Sequence, residues 1–302
     1  MKVGYNGSVI EAGEAVIPVY DHGFLYGMGL FETFRTYGGS PFQLGRHLDR
    51  LRAGCEMLGI VGQMAEEDVR AWLAELLAAN GLAGADAYVR LTVTAGVGEL
   101  GLPAGDYVRP NALLLVKPLP PMDERLYREG KELRLLRTRR NTPETPVRLK
   151  SLHYMNNIIA RRELLASGAS PGAEGLMLTG EGRLAEGVVS NLFFVRDGTV
   201  WTPHTDNGIL PGITRAITME LSKSLGVPGE EGFFGWDDLL RADEVWLTNS
   251  VQEIVPVTLL TDIEGRARTV GDGRIGPVTR SLLAAYRGMT GYTDDGKGGK
   301  PE

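Results

Sequence analysis

Hydrophobic and polar positions change period along the chain, and each change marks an element. Residues 2 to 10, "LFETFRTY" at 30 to 37, "AYVRLTVTA" at 87 to 95 and "NALLLVKP" at 111 to 118 are β-prone runs and predict strands. Gly38-Gly39, between the second run and "SPFQL", is a hairpin signal. From residue 44 the period lengthens: Leu44, Leu48, Leu51, Cys55 and Leu58 fall at steps of three and four, so a helix is expected over about 45 to 58. A second helix, 66 to 80, closes at Asn80-Gly81.

Prolines crowd the stretch "KPLPPMDE", which can continue neither a helix nor a central strand, and a domain boundary is expected near residue 120. The division this predicts is a small N-terminal α/β domain over 1–118, a linker over 119–123 and a larger domain over 124–288. Beyond the linker, Gly-Glu-Gly and Asp-Gly turns bracket β-rich segments in "LMLTGEGRLAEGVVSNLFFVRDGTVWTP". Helices near 213 to 226 and 274 to 287, with a strand in "ADEVWLTNS" between them, complete an α+β second half. Residues 289–302 are almost free of aliphatic side chains and are expected to be a disordered tail.

The 302 residues suffice for two cores, and a composition 43% hydrophobic and 23% charged is that of a globular chain. A net charge of -6 argues against nucleic acid or an anionic membrane as partner. One cysteine, Cys55, excludes an internal disulfide framework, and its place on the apolar stripe makes it core packing. No run approaches the roughly 18 uninterrupted apolar residues of a membrane span. A cytoplasmic protein is the expectation. Four histidines without metal-ligand spacing give no metal site, and the G-x-S-x-G and Walker A motifs are absent.

Four features carry candidate chemistry, although a bland reading serves each one singly. Lys150, in "RLKSLHYMNN", lies ahead of an amphipathic pattern, where a helix N-terminal field would favour a neutral, nucleophilic amine. The loop and helix "NGILPGITRAITMELSKSLG" offer the amides of Ile213 and Thr214 to an anion, although every helix has such an end. Glu186, in "RLAEGVVSNLFFV", reads alone as a carboxylate on the solvent face of a strand. Arg50 flanks the apolar stripe one turn from His47 and reads alone as a snorkelling arginine. The basic run "RLLRTRRNTPETPVRLK" alternates at Arg137 and Arg139 and suits a solvated strand face.

Taken in order, "YNGSVI", "DHGFLYGMGLFETFRTYGGSPFQL", "HLDRL", "LKSLHYMNN", "LAEGVVSNLFFV", "TPHTDNGILPGITR" and "ADEVWLTNSVQEIVPV" resemble the fold-type IV pyridoxal-phosphate enzymes. That family holds branched-chain and D-amino acid aminotransferases and aminodeoxychorismate lyases. The resemblance implies a two-domain α/β (α+β) fold like that of D-amino acid aminotransferase, pyridoxal 5'-phosphate as cofactor, and a homodimer. It makes Lys150 the Schiff-base lysine and general acid/base. Arg50, the Ile213 and Thr214 amides and the Ser250 hydroxyl become the phosphate cup, and Glu186 becomes the partner of the pyridine nitrogen. Phe31 stands where D-amino acid aminotransferases carry a tyrosine, so Tyr154 is expected to contact the cofactor's O3′ instead.

Within the family, "DHGFLYGMGLFETFR", "RRNTPETPVRLKSLHYMNN" and "LTNSVQEIVPV" look most like aminodeoxychorismate lyases. Such enzymes convert 4-amino-4-deoxychorismate to 4-aminobenzoate and pyruvate. The substrate carboxylates would meet Arg90, with Tyr88 on the same strand face and amides near Ser250 and Val251 as further donors. Strand "RLTVTAGVG" lacks the histidine that would pair with its arginine in a D-amino acid aminotransferase. A transaminase acting on D-amino or branched-chain amino acids is the alternative.

Overall fold

Asn6 and Gly7, both at positive φ (48° and 84°), make the two-residue turn that folds β1 (Lys2–Tyr5) back on β2 (Ser8–Glu11). This is the start of the first of two contact-defined units in the computed structural model, which describes residues 1–62 and 64–291. The expected tail falls, from residue 292 on, outside the described residues. After α1 (His22–Tyr26) the chain forms β3 (Gly29–Tyr37), β4 (Ser40–Pro41), α2 (Leu44–Met57), α3 (Glu66–Ala79), β5 (Ala87–Thr94) and β6 (Asn111–Pro118). The strands form an antiparallel sheet in the order β2-β1-β6-β5-β3-β4. Leu44, Leu48, Leu51 and Cys55 of α2 join Trp72 and Leu76 of α3 over Phe34, Val89, Leu91 and Leu114 of the sheet. Burial pushes the Cys55 thiol up to about 11, and the side chain is the packing residue its stripe predicted.

The first unit also contains residues 149–153, although the prolines at 120 and 121 mark the main division of the chain. This corrects the placement of Lys150 in the C-terminal half. The cause is an open sheet edge: β4 pairs only with Thr36 and Tyr37, so the start of β3 lacks a neighbour on that side. Residues 150–152 fill it, with Phe31 N–H donating to Lys150 O at 2.9 Å and Leu152 N–H to Gly29 O at 3.0 Å. Helix α1 was not anticipated, although its caps are visible in "DHGFLYG": Asp21 accepts from Gly23 N–H, and Gly27 ends the helix at φ 69°.

The second unit comprises α4 (Glu124–Glu129), β7 (Lys131–Leu135), α5 (Met155–Ala166), β8 (Glu174–Leu178), β9 (Leu184–Gly187), β10 (Asn191–Arg196), β11 (Thr199–Pro203), α6 (Ile213–Ser224), β12 (Gly229–Gly232), α7 (Trp236–Leu240), β13 (Glu244–Asn249), β14 (Glu253–Thr261), β15 (Ala267–Thr269) and α8 (Pro277–Met289). Its mixed sheet runs β12-β11-β10-β13-β14-β7-β8-β9, with β15 paired to β14. The expected Gly180-Glu181-Gly182 and Asp197-Gly198 turns join β8 to β9 and β10 to β11. Leu133, Leu176, Leu192, Phe194, Leu247 and Val257 form one core, and Leu136, Met177 and Val188 form another with Ala160 and Leu164 of α5.

Candidate active site

Lys150 owes its position to backbone pairing with β3. Helix α5 does not begin until Met155, with Tyr154 as N-cap residue, so Lys150 is four residues before the cap and outside the first turn. A helix field fades within that turn, which removes the electrostatic reason expected for this lysine. A different neighbour defines the amine: Nζ lies over the Phe31 ring, 4.8 Å from its centroid.

Phe31 also carries the Arg90 guanidinium, 3.6 Å from the ring centroid, and Arg90 Nε donates to Thr92 Oγ1 at 3.2 Å. Register explains the grouping, since Phe31 faces Thr92 and Thr33 faces Arg90 across β3 and β5. Alternation along β5 sends Ala87, Val89 and Leu91 into the core and leaves Tyr88 and Arg90 on the opposite, half-buried face. Lys150, Arg90, Tyr88 and Phe31 thus belong to the face of the first sheet turned away from α2.

Arg50 has a partner that the sequence reading missed. Its Nε and Nη2 donate to Glu32 Oε1 and Oε2 at 2.8 and 2.6 Å, a bidentate fork, and His47 Nδ1 is 2.7 Å from Glu32 Oε2. Glu32 is 1% exposed. Burial favours its neutral acid, but the Arg50 charge and the His47 and Arg50 hydrogen bonds outweigh that and hold the carboxyl at about 2. His47 is pushed below its ordinary range, chiefly by burial, with Arg50 and Lys150 adding repulsion against the pull of Glu32. A visible signal existed: an acid inside an apolar strand, and a His-Arg pair three residues apart on one helix.

In the second unit the solvent-face reading of Glu186 fails. It is 5% exposed, Oε1 accepts from Arg140 Nε at 2.8 Å, and Oε2 accepts from Leu210 N–H at 3.0 Å and Asn191 Nδ2 at 3.2 Å. Three donors on a carboxylate with about four acceptor positions leave room for one more, which suits the protonated ring nitrogen of pyridoxal phosphate. Asn191 Nδ2 also donates to Leu210 O at 2.9 Å, tying the carboxylate to the loop that enters α6. At the entry, Gly212 is the N-cap residue and no side chain caps the helix, so the amides of Ile213 and Thr214 lie at an uncapped first turn. A Cβ on Gly212 would lie 2.0 Å from Asn191 Oδ1, so only glycine permits this approach.

Arg140 corrects the reading of the basic run. Strand β7 ends at Leu135, so Arg137 and Arg139 are exposed but lie outside any strand. Arg140 is turned inward onto Glu186, and its Nη1 also donates to Asn156 Oδ1 at 2.8 Å, which gives "YMNN" a structural purpose. Arg148 is buried too: it donates to Gly208 O and Asn141 O, with Nε 3.9 Å from Glu186 Oε1. Burial first, then the Arg140 charge, push its guanidinium down to about 10.

Tyr154 accepts from Ile158 N–H through its backbone carbonyl. Ser250 sits in the β13–β14 turn, where Asn249 Oδ1 accepts the amides of Val251 and Gln252 at 3.0 and 2.7 Å. The Val251 amide, expected as a substrate donor, is therefore committed to the turn. Among the described residues, no group of three or more His, Cys, Asp or Glu side chains could hold a metal ion. No helix among them is long and apolar enough to cross a membrane.

Residues 29–260 match the family described as Amino-transferase class IV. The chain belongs to that family. An aminodeoxychorismate lyase of Bacillus subtilis is 40% identical to this class IV chain over 282 residues, 93% of the chain and 92% of the relative. The crystal structure of a 4-amino-4-deoxychorismate lyase from Pseudomonas aeruginosa superposes with a TM-score of 0.79 at 33% identity, covering 95% of this chain and 98% of the other. A T.th. branched-chain amino acid aminotransferase with pyridoxamine 5'-phosphate superposes with a TM-score of 0.83 at 29% identity, covering 97% and 95%.

Proposed function

We propose that this pyridoxal-phosphate-dependent enzyme is an aminodeoxychorismate lyase, taking 4-amino-4-deoxychorismate to 4-aminobenzoate and pyruvate. The observation that carries the reading is the 40% identity to a lyase along nearly the whole of both chains. Phe31 with Lys150 on one ring and Arg90 against the same ring gives it a chemical basis. An amine that moves protons and a cation fit for a carboxylate belong to one face of one sheet.

Arg50, the Ile213 and Thr214 amides and the Ser250 hydroxyl would hold the cofactor's phosphate, Tyr154 its O3′, and Glu186 its ring nitrogen. When bound, the cofactor supplies an electron sink for the carbon bearing the substrate's nitrogen. Lys150 would hold the cofactor through its amine, and the same amine, when free, would take the proton from that carbon. Glu186 would face the ring nitrogen, and Arg140 and Asn191, by donating to its carboxylate, hold it in orientation. Arg90, with Tyr88 beside it, orients a substrate carboxylate. The electron pair left by the proton closes an aromatic ring as the C–O bond to enolpyruvate breaks, and the enolpyruvate takes up a proton to become pyruvate. No amino acceptor enters the balance.

Large apolar side chains stand exposed in the first unit at Val16 (67%), Phe24 (71%), Leu100 (76%) and Leu102 (94%), which favours a homodimer over a lone chain. A reducing, cytoplasmic setting suits the single buried thiol of Cys55. The likeness to a branched-chain aminotransferase supports one alternative, a transaminase of the same family. Supplying aminodeoxychorismate through a coupled synthase decides between them. Paired release of 4-aminobenzoate and pyruvate supports the lyase, whereas 2-oxoglutarate-dependent transfer from D-alanine or leucine without those products supports the transaminase.

A further inference from the structure

Glu32 is a carboxylate on the core face of β3, among Leu30, Phe34, Leu48 and Leu51, where an apolar side chain would ordinarily pack. A buried ion group of this kind is a weak source of stability, since well-packed apolar residues of similar volume often do as well. Its geometry is specific. Both carboxylate oxygens take one edge of the Arg50 guanidinium, through Nε and Nη2, and His47 Nδ1 stands 2.7 Å from Oε2. His47 is fixed in turn by packing against the Phe34 ring, with centroids 5.3 Å apart. The arginine's own side chain is 16% exposed, so a clamped fork sits at the edge of the core.

We propose that Glu32, seconded by His47, is the positioning residue for Arg50, fixing the plane of the guanidinium so that it is presented ready-oriented to the cofactor's phosphate. This rests on the assignment of Arg50 to the phosphate. An unclamped arginine loses rotamer freedom each time it binds, whereas a clamped one has lost it on folding. The clamp also lowers the net charge offered to the anion, so its benefit lies in orientation, and a phosphate-specific loss separates the two effects.

The test compares binding of pyridoxal 5'-phosphate with pyridoxal, which lacks the phosphate, to apoenzyme of wild type, Glu32→Gln and Arg50→Gln, alongside thermal melting. Glu32→Gln is expected to weaken pyridoxal 5'-phosphate by about tenfold or more, the scale of one charge-assisted hydrogen bond, while pyridoxal binding stays within about twofold. Arg50→Gln should erase the preference for the phosphorylated form. If it does not, the phosphate assignment of Arg50 falls and the proposal falls with it. If Arg50→Gln erases the preference but Glu32→Gln leaves it intact, tightens it, or weakens both ligands equally, the positioning role is overturned while the assignment of Arg50 stands. Should Glu32→Gln fail to fold, Glu32→Asp keeps the charge but shortens the reach, and an unchanged ratio of the two affinities there overturns the proposal equally.

Discussion

Replacing Arg140 by methionine isolates the electrostatics around Glu186. The Glu186 and Arg140 side chains are 6% and 7% exposed and joined at 2.8 Å, so truncating one leaves a buried carboxylate without its charged partner. Breaking such a pair costs about 3–5 kcal/mol. Leu210 N–H and Asn191 remain as donors to the other oxygen, and Arg148 Nε is 3.9 Å away, so the lower end, about 3 kcal/mol, is expected. For a domain of this size that corresponds to a fall in Tm of about 6–12 °C. Urea and thermal unfolding of the apoenzyme read the loss directly. The double variant Arg140→Met with Glu186→Gln should recover part of it, because the stranded charge is gone. A single variant within about 0.5 kcal/mol of wild type, or a double variant no more stable than the single, would refute the claim that Arg140 neutralises Glu186.

Three further outcomes follow from particular contacts. Glu32 is held at about 2 against an ordinary 4.5, so its ionised form favours the fold above pH 4.5 and that contribution is lost as pH falls toward 2. His47, depressed below 6.5, has the same sign: its contribution is present above that value and declines below it, so acid unfolding curves should shift in Glu32→Gln. Cys55, fully buried with its thiol raised to about 11, should resist thiol reagents at pH 8 in the folded protein and react as one thiol per chain after unfolding; ready labelling of the native protein would contradict its burial. Gly212→Ala would put a Cβ 2.0 Å from Asn191 Oδ1 and push the α6 entry loop away from Glu186, so affinity for pyridoxal 5'-phosphate, read by absorbance titration, should fall by about tenfold.

Elements with strong local signals were legible in the residues alone: the α2 stripe, the Asn80-Gly81 stop, the Gly38-Gly39 hairpin and the turns at Gly180-Gly182 and Asp197-Gly198 lie where period and turn chemistry put them. What escaped was long-range partnership. Glu32 meets Arg50 across 18 residues and Arg140 meets Glu186 across 46, and no local pattern pairs them. Lys150 is expected at a helix start because "LHYMNN" begins an amphipathic run, yet an unfilled edge of β3, more than a hundred residues earlier, captures its backbone through an isolated antiparallel bridge. The site candidates themselves came from motif order and family resemblance. Singly, Glu186 reads as solvated, because burial of a charge depends on a partner, here Arg140, that sequence spacing does not show.

The most direct measurement supplies the purified enzyme with 4-amino-4-deoxychorismate, with pyridoxal 5'-phosphate present and no 2-oxo acid added, and quantifies both products for wild type and Lys150→Ala. Equal amounts of 4-aminobenzoate and pyruvate from wild type, and neither from Lys150→Ala, are the expected result. Absence of both products from wild type while it transfers amino groups from D-alanine or leucine to 2-oxoglutarate, or undiminished turnover by the Lys150 variant, would contradict it.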